Sequence, residues 1–261
     1  MKQIIIFTFI ASIIAGCSGS GAKKDKEVIS VTILPQEYFV EKIAGELFEI
    51  NVMIPPGASP ATYEPTPVQL TSVAGSDLYL KMGFTGFEMA WMEKIASANK
   101  SMKIIDLSEG VDLIMERSAH DKEVQEEGHH HGGVDPHIWL SPENGKIIAG
   151  NIFRALSDQY PDHSETFRKN LEDFNRELDS LELYIHSKLD SLSSRAFFTY
   201  HPSLSYFARE YNLEQYPLEL GGKTPSAGHM KYLADIGQAQ HVRTIFLQMQ
   251  FNQQNALYTK N

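Results

Sequence analysis

The segment from Glu165 to Leu192 has the pattern of one long amphipathic helix. The opposite side of the helix from its apolar face carries Glu, Asp, Lys and Arg. The apolar residues recur every three or four positions: Phe167, Leu171, Phe174, Leu178, Leu181, Ile185 and Leu189. At 3.6 residues per turn this pattern predicts about eight turns, with Asp162 and Glu165 placed as a capping box. A coiled coil is the alternative, but the pattern lasts only about four heptads. We therefore expect a rigid helix that joins an N-terminal lobe to a C-terminal lobe.

Short apolar strands alternate with helical segments on both sides of this helix. Strands are predicted over residues 28–34, 48–54, 77–82, 103–107, 196–200 and 244–249, with a helix over 36–45. This order predicts an α/β fold of two lobes with mostly parallel sheets, whose ligands bind beyond the carboxyl ends of the strands. The predicted parts are a lobe over 27–141, a helical segment over 142–193 that contains the linking helix 165–192, and a second lobe over 194–261. We expect the second lobe to be cut short, because it has far fewer residues than the first.

The N-terminal segment resembles the leader of a bacterial lipoprotein. Residues 4–15 are apolar except for two hydroxyl side chains, a run too short for a ~30 Å hydrocarbon core but suited to a secretory signal. The run leads to small residues and Cys17, which resemble a lipobox. The resemblance implies a signal peptide over 1–16 and a lipidated tether over 17–26; an ordinary helix with a buried cysteine is the alternative. We expect an exported protein, anchored to a bacterial membrane by lipid on Cys17 and facing the periplasm or the cell exterior.

The charge and cysteine content narrow the classes of partner. The 261 residues include 23 Lys and Arg against 33 Asp and Glu, which gives a net charge of −10. An acidic chain lacks the basic face with which nucleic-acid binders displace counterions from phosphate. Cys17 is the only cysteine, so its acylation leaves no thiol for a disulfide or a Cys-ligated metal. We expect a monomer that binds no nucleic acid and favours a cationic ligand.

Two histidines stand at loop ends in the two predicted lobes. His137 follows Pro136, and Ser141-Pro142 predicts an N-cap with proline at the first helical position. His201 directly follows the predicted strand 196–200, at the edge where an α/β sheet presents ligands. A single histidine of this kind is more often structural than a ligand. Two in separate lobes of an exported protein, beside a His-rich loop, favour a metal site.

That His-rich loop covers residues 116–133. It is polar and acidic, with almost no apolar content, so we expect it to be mobile. His129, His130 and His131 stand near carboxylates and are predicted to bind Zn²⁺ weakly, as an accessory site. The alternative is a solvated acidic loop in which the histidines have no role.

Four motifs together resemble the metal-binding solute-binding proteins of bacterial ABC importers, which are the zinc and manganese receptors. The motifs are Pro55–Pro67, Gly83–Glu88 with Trp91-Met92, Asp135–Trp139, and Tyr200–Pro202 with Tyr206-Phe207-Ala208. They occur in the family's order between about Ile29 and Gln253. The resemblance implies two α/β lobes joined by one long rigid helix, a metal site in the interlobe cleft, and delivery of the ion to a membrane permease.

The resemblance implies His137 and His201 as primary metal ligands. A histidine at 201 favours Zn²⁺ as the transported ligand, because manganese prefers hard oxygen ligands; a manganese or iron receptor is the alternative, and a metal-dependent hydrolase a distant one. The chain departs from the family at Ala61, where members usually carry histidine, and we expect the usual C-terminal aspartate ligand to be missing. Glu64 and Glu219 are therefore the candidate oxygen ligands. We expect capture and release of the ion, and no catalysis.

Overall fold

The computed structural model describes residues 26–115, 133–219, 225–242 and 244–247. The predicted signal peptide 1–16, Cys17 and the three histidines His129, His130 and His131 lie outside the described residues. The strands are β1 Val28–Val31, β2 Glu49–Val52, β3 Leu78–Lys81, β4 Lys103–Asp106, β5 Ala196–Thr199, β6 Glu214–Pro217 and β7 Ile245–Phe246. The helices are α1 Leu34–Ala44, α2 Pro67–Val73, α3 Gly86–Ala98, α4 Pro142–Gln159, α5 Ser164–Leu189, α6 Ser205–Glu210 and α7 Ala227–Ala239.

The N-terminal lobe is built on a four-stranded parallel sheet. Its strand order is β2-β1-β3-β4, and every neighbouring pair is parallel. The central strands β1 and β3 are buried on both faces, which is why they read as nearly continuous apolar runs. The parallel direction of all four strands brings their carboxyl ends to one edge of the sheet.

The C-terminal lobe holds a smaller parallel sheet of order β6-β5-β7. Its buried cluster is formed by Phe198, Tyr200, Leu218 and Leu233. Strand β6 is absent from the sequence prediction, because Glu214 and Gln215 are polar and Pro217 ends the strand without a backbone donor. The predicted boundaries of the lobes are not tested by these elements and stay a prediction.

The long predicted helix is present as α5, with differences at both ends. It runs over Ser164–Leu189, so its predicted end at Leu192 is three residues too late, in a serine-rich stretch that forms helices poorly. The predicted capping box is wrong. Asp162 lies in a 3-10 turn before the helix, the N-cap residue His163 makes no side-chain cap, and the Glu165 carboxylate reaches forward to Arg168 instead.

Helix α5 is fixed to the N-terminal lobe through residues 167–178. Phe167, Phe174 and Leu178 are its buried residues, and they belong to the core cluster of that lobe. Phe174 packs edge-on against Phe39 of α1, with ring centroids 5.6 Å apart. Among the helices of the described ranges, none combines the length and the apolar character that crossing a membrane requires.

Candidate metal centre

His137 stands on a short, firmly held loop between the two lobes. It is the N-cap residue of a 3-10 turn over Ile138–Leu140, which runs directly into α4. The predicted cap of α4 is confirmed, because the Ser141 hydroxyl accepts a hydrogen bond from the Asn144 amide at 3.2 Å. Asp135 is buried, and its Oδ1 accepts from both the backbone N–H (2.9 Å) and the Nδ1 (2.8 Å) of His137. The imidazole is therefore oriented by the residue two positions before it.

His201 stands just beyond the carboxyl end of β5, as the sequence predicts. Glu219 follows β6, and because β5 and β6 are parallel, both residues reach the same edge of the sheet. The Glu219 amide donates to the Tyr200 carbonyl at 2.9 Å, which continues the strand pairing past the end of β6. The buried Glu219 carboxylate then approaches His201, with Oε1 3.4 Å from Nδ1.

The two imidazoles meet through their Nε2 atoms. These nitrogens are 3.3 Å apart, and the ring centroids are 5.1 Å apart at an interplanar angle of 73°. Two nitrogens that bind one tetrahedral zinc ion at 2.0–2.1 Å are separated by about 3.3 to 3.4 Å. The observed distance between the Nε2 atoms therefore matches the distance between two ligand nitrogens of a tetrahedral zinc site.

The hydrogen-bond partners fix which nitrogen of each ring carries a proton. A carboxylate only accepts, so each Nδ1 that faces one is the donor: His137 toward Asp135 and His201 toward Glu219. When both rings are neutral, each Nε2 presents a lone pair toward the other ring. This is the arrangement in which carboxylates hold zinc-binding histidines from behind. A cation between the two nitrogens turns their repulsion into attraction.

The charge states agree with this arrangement. Burial, together with the neighbouring His137, lowers the pKa of His201 below its usual 6.5, so the neutral imidazole, which is the form that binds metal, is favoured near pH 7. Burial raises the pKa of Asp135, but the hydrogen bonds and charge of His137 outweigh it and leave that pKa below the usual value. The centre therefore pairs an ionised carboxylate with a neutral ligand.

Neither candidate oxygen ligand, Glu64 or Glu219, lies beside the two Nε2 atoms of the histidine pair. Glu64 is exposed on the loop before α2, whereas Glu219 faces the Nδ1 side of His201 and not the Nε2 edge. Within the described ranges, no group of three or more His, Cys, Asp or Glu side chains has the arrangement of a metal site. The roles of Glu64 and Glu219 as ligands stay predictions. The Nδ1 contact gives Glu219 an orienting role that sequence reasoning missed.

The loop around Ala61 is seated against the start of α3. The Phe87 amide donates to the Pro60 carbonyl at 2.8 Å. Gly86 lies so close to this loop that a Cβ atom there would be 2.8 Å from the Ala61 carbonyl oxygen. Glycine at 86 therefore lets two backbones meet, and Ala61 itself is exposed.

Glu88, one residue after Phe87, is a buried carboxylate to which sequence reasoning assigns no role. Glu88 accepts hydrogen bonds from the amides of Met82 (2.7 Å) and Gly83 (2.8 Å) and from the Thr32 hydroxyl. Burial raises the pKa of Glu88 above its usual value, against the effect of these hydrogen bonds. Glu88 thus ties the loop after β3 to the end of β1, at the edge where the Ala61 loop is seated.

Comparison with known proteins identifies the family of this chain. Residues 29–259 match the family described as "ZnuA: Zinc-uptake complex component A periplasmic". The chain belongs to this family. Its match covers both sheets, the long helix and both histidine loops, and the family is one of uptake components, not of enzymes.

Individual relatives agree with the family match. The chain is 28% identical over 234 residues to the zinc-binding lipoprotein AdcA of Streptococcus pneumoniae, which covers 87% of this chain and 46% of AdcA. It is 27% identical over 252 residues to the high-affinity zinc uptake system protein ZnuA of Bacillus subtilis, covering 90% of this chain and 77% of that protein. A crystal structure of ZnuA superimposes with a TM-score of 0.80 at 37% identity and covers 90% of this chain and 87% of that one. The chain thus spans about half the length of AdcA, and it has the two-lobe α/β fold of the ZnuA structure.

Proposed function

We propose that the chain is an extracytoplasmic receptor that captures Zn²⁺ between His137 and His201 and delivers it to the membrane permease of an ABC importer. The observation that carries the proposal is the pair of Nε2 atoms 3.3 Å apart, each with its Nδ1 turned to a carboxylate. Membership of a zinc-uptake family supports the same ion. Capture requires no bond to break in the protein, because a neutral imidazole binds the metal directly.

The remaining coordination positions fall to water or to side chains outside the histidine pair. Zinc in proteins is usually four-coordinate, and Ala61 offers no ligand atom. Glu64, Glu219 and the loop residues His129, His130 and His131 are the candidates. An open site of this kind also suits a receptor, since a bound ion that keeps exchangeable ligands is easier to release to a permease.

Lipid on Cys17 would hold this receptor beside its permease. The relative from Streptococcus pneumoniae is named a lipoprotein, which supports the lipobox interpretation of residues 14–17. We accordingly propose an exported monomer, tethered to a bacterial membrane through residues 17–26.

The function predicts one tight zinc equivalent on the purified protein. Equilibrium dialysis followed by elemental analysis should find that excess manganese does not displace it, because two imidazoles suit Zn²⁺ better than Mn²⁺. Displacement of zinc by manganese would favour the manganese or iron receptor, in which the buried carboxylates near the histidines become ligands. Absence of any tight equivalent would contradict the proposal.

The loop 116–133 is predicted to add weak zinc sites without forming the tight one. The structure makes its removal practical, because Met115 and Val134 form an antiparallel bridge across which two glycines can close the chain. This deletion should lower the zinc bound at high zinc concentration and leave the tight equivalent unchanged. Loss of the tight equivalent would instead mean that a loop histidine completes the cleft site.

A matched variant identifies which side chains of the loop bind the weak zinc equivalents. The full-length protein with His129, His130 and His131 replaced by alanine keeps the loop, including His120, and removes its three consecutive imidazoles. It should lose the same weak equivalents as the deletion, as measured by dialysis at high zinc. Retention of those equivalents would assign them to the carboxylates of the loop or to His120.

A further inference from the structure

Tyr206 of α6 belongs by sequence to the C-terminal lobe, but its ring is buried in the core of the N-terminal lobe. It is 1% exposed and is part of the same cluster as the strands β1 and β3. Its hydroxyl donates to the Asp135 carbonyl at 2.8 Å and accepts from the Ile114 amide at 3.1 Å. Burial raises the pKa of this hydroxyl, which therefore keeps the proton that it donates.

We propose that Tyr206 is a positioning residue of the metal centre, which holds the His201 loop in register with His137. The inference rests on the proposed function, since it assigns to Tyr206 the alignment of the two zinc ligands. The family resemblance placed Tyr206 in a motif but gave it no role.

The contacts between Tyr206 and the two histidines are continuous. On one side, the Ser203 amide donates to the His201 carbonyl at 2.8 Å, and the Leu204 amide donates to Gln215 Oε1 at 2.8 Å, so the chain from His201 to α6 is held on β6. On the other side, the Tyr206 hydroxyl donates to the backbone carbonyl of Asp135, and the side chain of Asp135 orients His137. A zinc ion bound by both histidines would therefore join the same two segments that the Tyr206 hydroxyl already joins.

The Ile114 contact ties a second segment into the same junction. The Asp135 amide donates to the Ile114 carbonyl at 2.8 Å, next to the bridge between Met115 and Val134. A single hydroxyl therefore fixes both chain segments that flank the His-rich loop.

The other contacts between α6 and the N-terminal lobe are weaker candidates for this role. Arg209 donates to the Asp112 carboxylate at 3.1 Å, but both side chains are well exposed, and exposed ion pairs contribute little. The Ser141 hydroxyl donates to Glu210 and at the same time caps α4. Ser205 of α6 also hydrogen-bonds the Asp135 side chain but is only half-buried. Among the described residues of α6, Tyr206 alone combines full burial with a direct hydrogen bond to a residue that orients a ligand.

Tyr206→Phe tests the proposal, because it keeps the buried ring and removes only the hydroxyl. We expect zinc affinity to fall about tenfold, mainly through faster zinc dissociation, while the metal-free protein still unfolds cooperatively. Tyr216→Phe is the matched control, since the Tyr216 hydroxyl bonds only locally, to Glu214 at 2.7 Å, and should leave zinc affinity unchanged. A purely structural Tyr206 would lower the melting temperature and leave the zinc dissociation constant unchanged, and that result overturns the proposal.

A second measurement needs no variant. If Tyr206 aligns the ligands in advance, the Ile114 amide of the wild-type protein is protected from hydrogen exchange without metal as well as with it. Exchange at the rate of exposed loop amides in the metal-free protein overturns the proposal. Zinc binding by the wild-type protein is the separate test of the proposed function, so a failure of either claim can be recognised.

Discussion

Replacing His201 with alanine is expected to lower zinc affinity at least about tenfold, or about 1.4 kcal/mol. The physical reason is that the variant leaves His137 as the only imidazole of the pair. It also leaves the buried Glu219 carboxylate without the ring that it faces at 3.4 Å. Calorimetric titration of the purified protein with zinc measures the change directly.

The control for this variant is a histidine that contributes no ligand. His186 lies half exposed on α5 and faces Asp190, with 3.6 Å between Nδ1 and Oδ1. His186→Ala should titrate like the wild-type protein. Equal affinities for His201→Ala and His186→Ala would remove His201 from the metal site.

Ala61→His is expected to strengthen zinc binding by more than about tenfold. The loop that carries Ala61 is already ordered: the Tyr63 amide donates to the Ser59 carbonyl at 3.0 Å, and the Pro60 carbonyl is held by Phe87. A third imidazole on such a loop binds with little loss of conformational entropy. Zinc titration against a competing chelator compares the variant with the wild-type protein.

The neighbouring position supplies the matched control for Ala61→His. Thr62 is also exposed on this loop, so Thr62→His adds the same imidazole one residue away and should change affinity little. If water or Glu64 completes the site in the wild-type protein, the histidine at 61 crowds the metal. Affinity that stays flat or falls would then show that the alignment of this loop with the family's metal loop gives the wrong coordination.

Much of the fold follows from local patterns in the sequence. Of the seven strands in the described residues, six agree with the sequence prediction, because these segments are short apolar runs or alternate with a period of two. The long helix agrees as well, because its apolar residues repeat every three or four positions. The failures have local causes. Strand β6 lacks an apolar signal, and the cap of α5 depends on a 3-10 turn whose residues read equally well as a capping box.

The site was predictable only in part. The positions of His137 and His201 follow from their places at loop ends, and their 3.3 Å approach agrees with that expectation. Contacts between residues distant in sequence leave no local pattern. Glu219 reaches His201 from the unpredicted β6, and Tyr206 bonds to Ile114 across 92 positions.

The burial of Tyr206 in the N-terminal core has a consequence for how the chain folds. During synthesis, the four strands and α5 are complete before residue 206 emerges, yet the core that they enclose still lacks one of its largest side chains. Separation of the lobes would expose that core and break the hydrogen bonds of the Tyr206 hydroxyl with Ile114 and Asp135, each of which contributes about 1 kcal/mol net. The two lobes are therefore expected to unfold in one transition, so that folding of the first lobe is complete only after the second lobe has been synthesised.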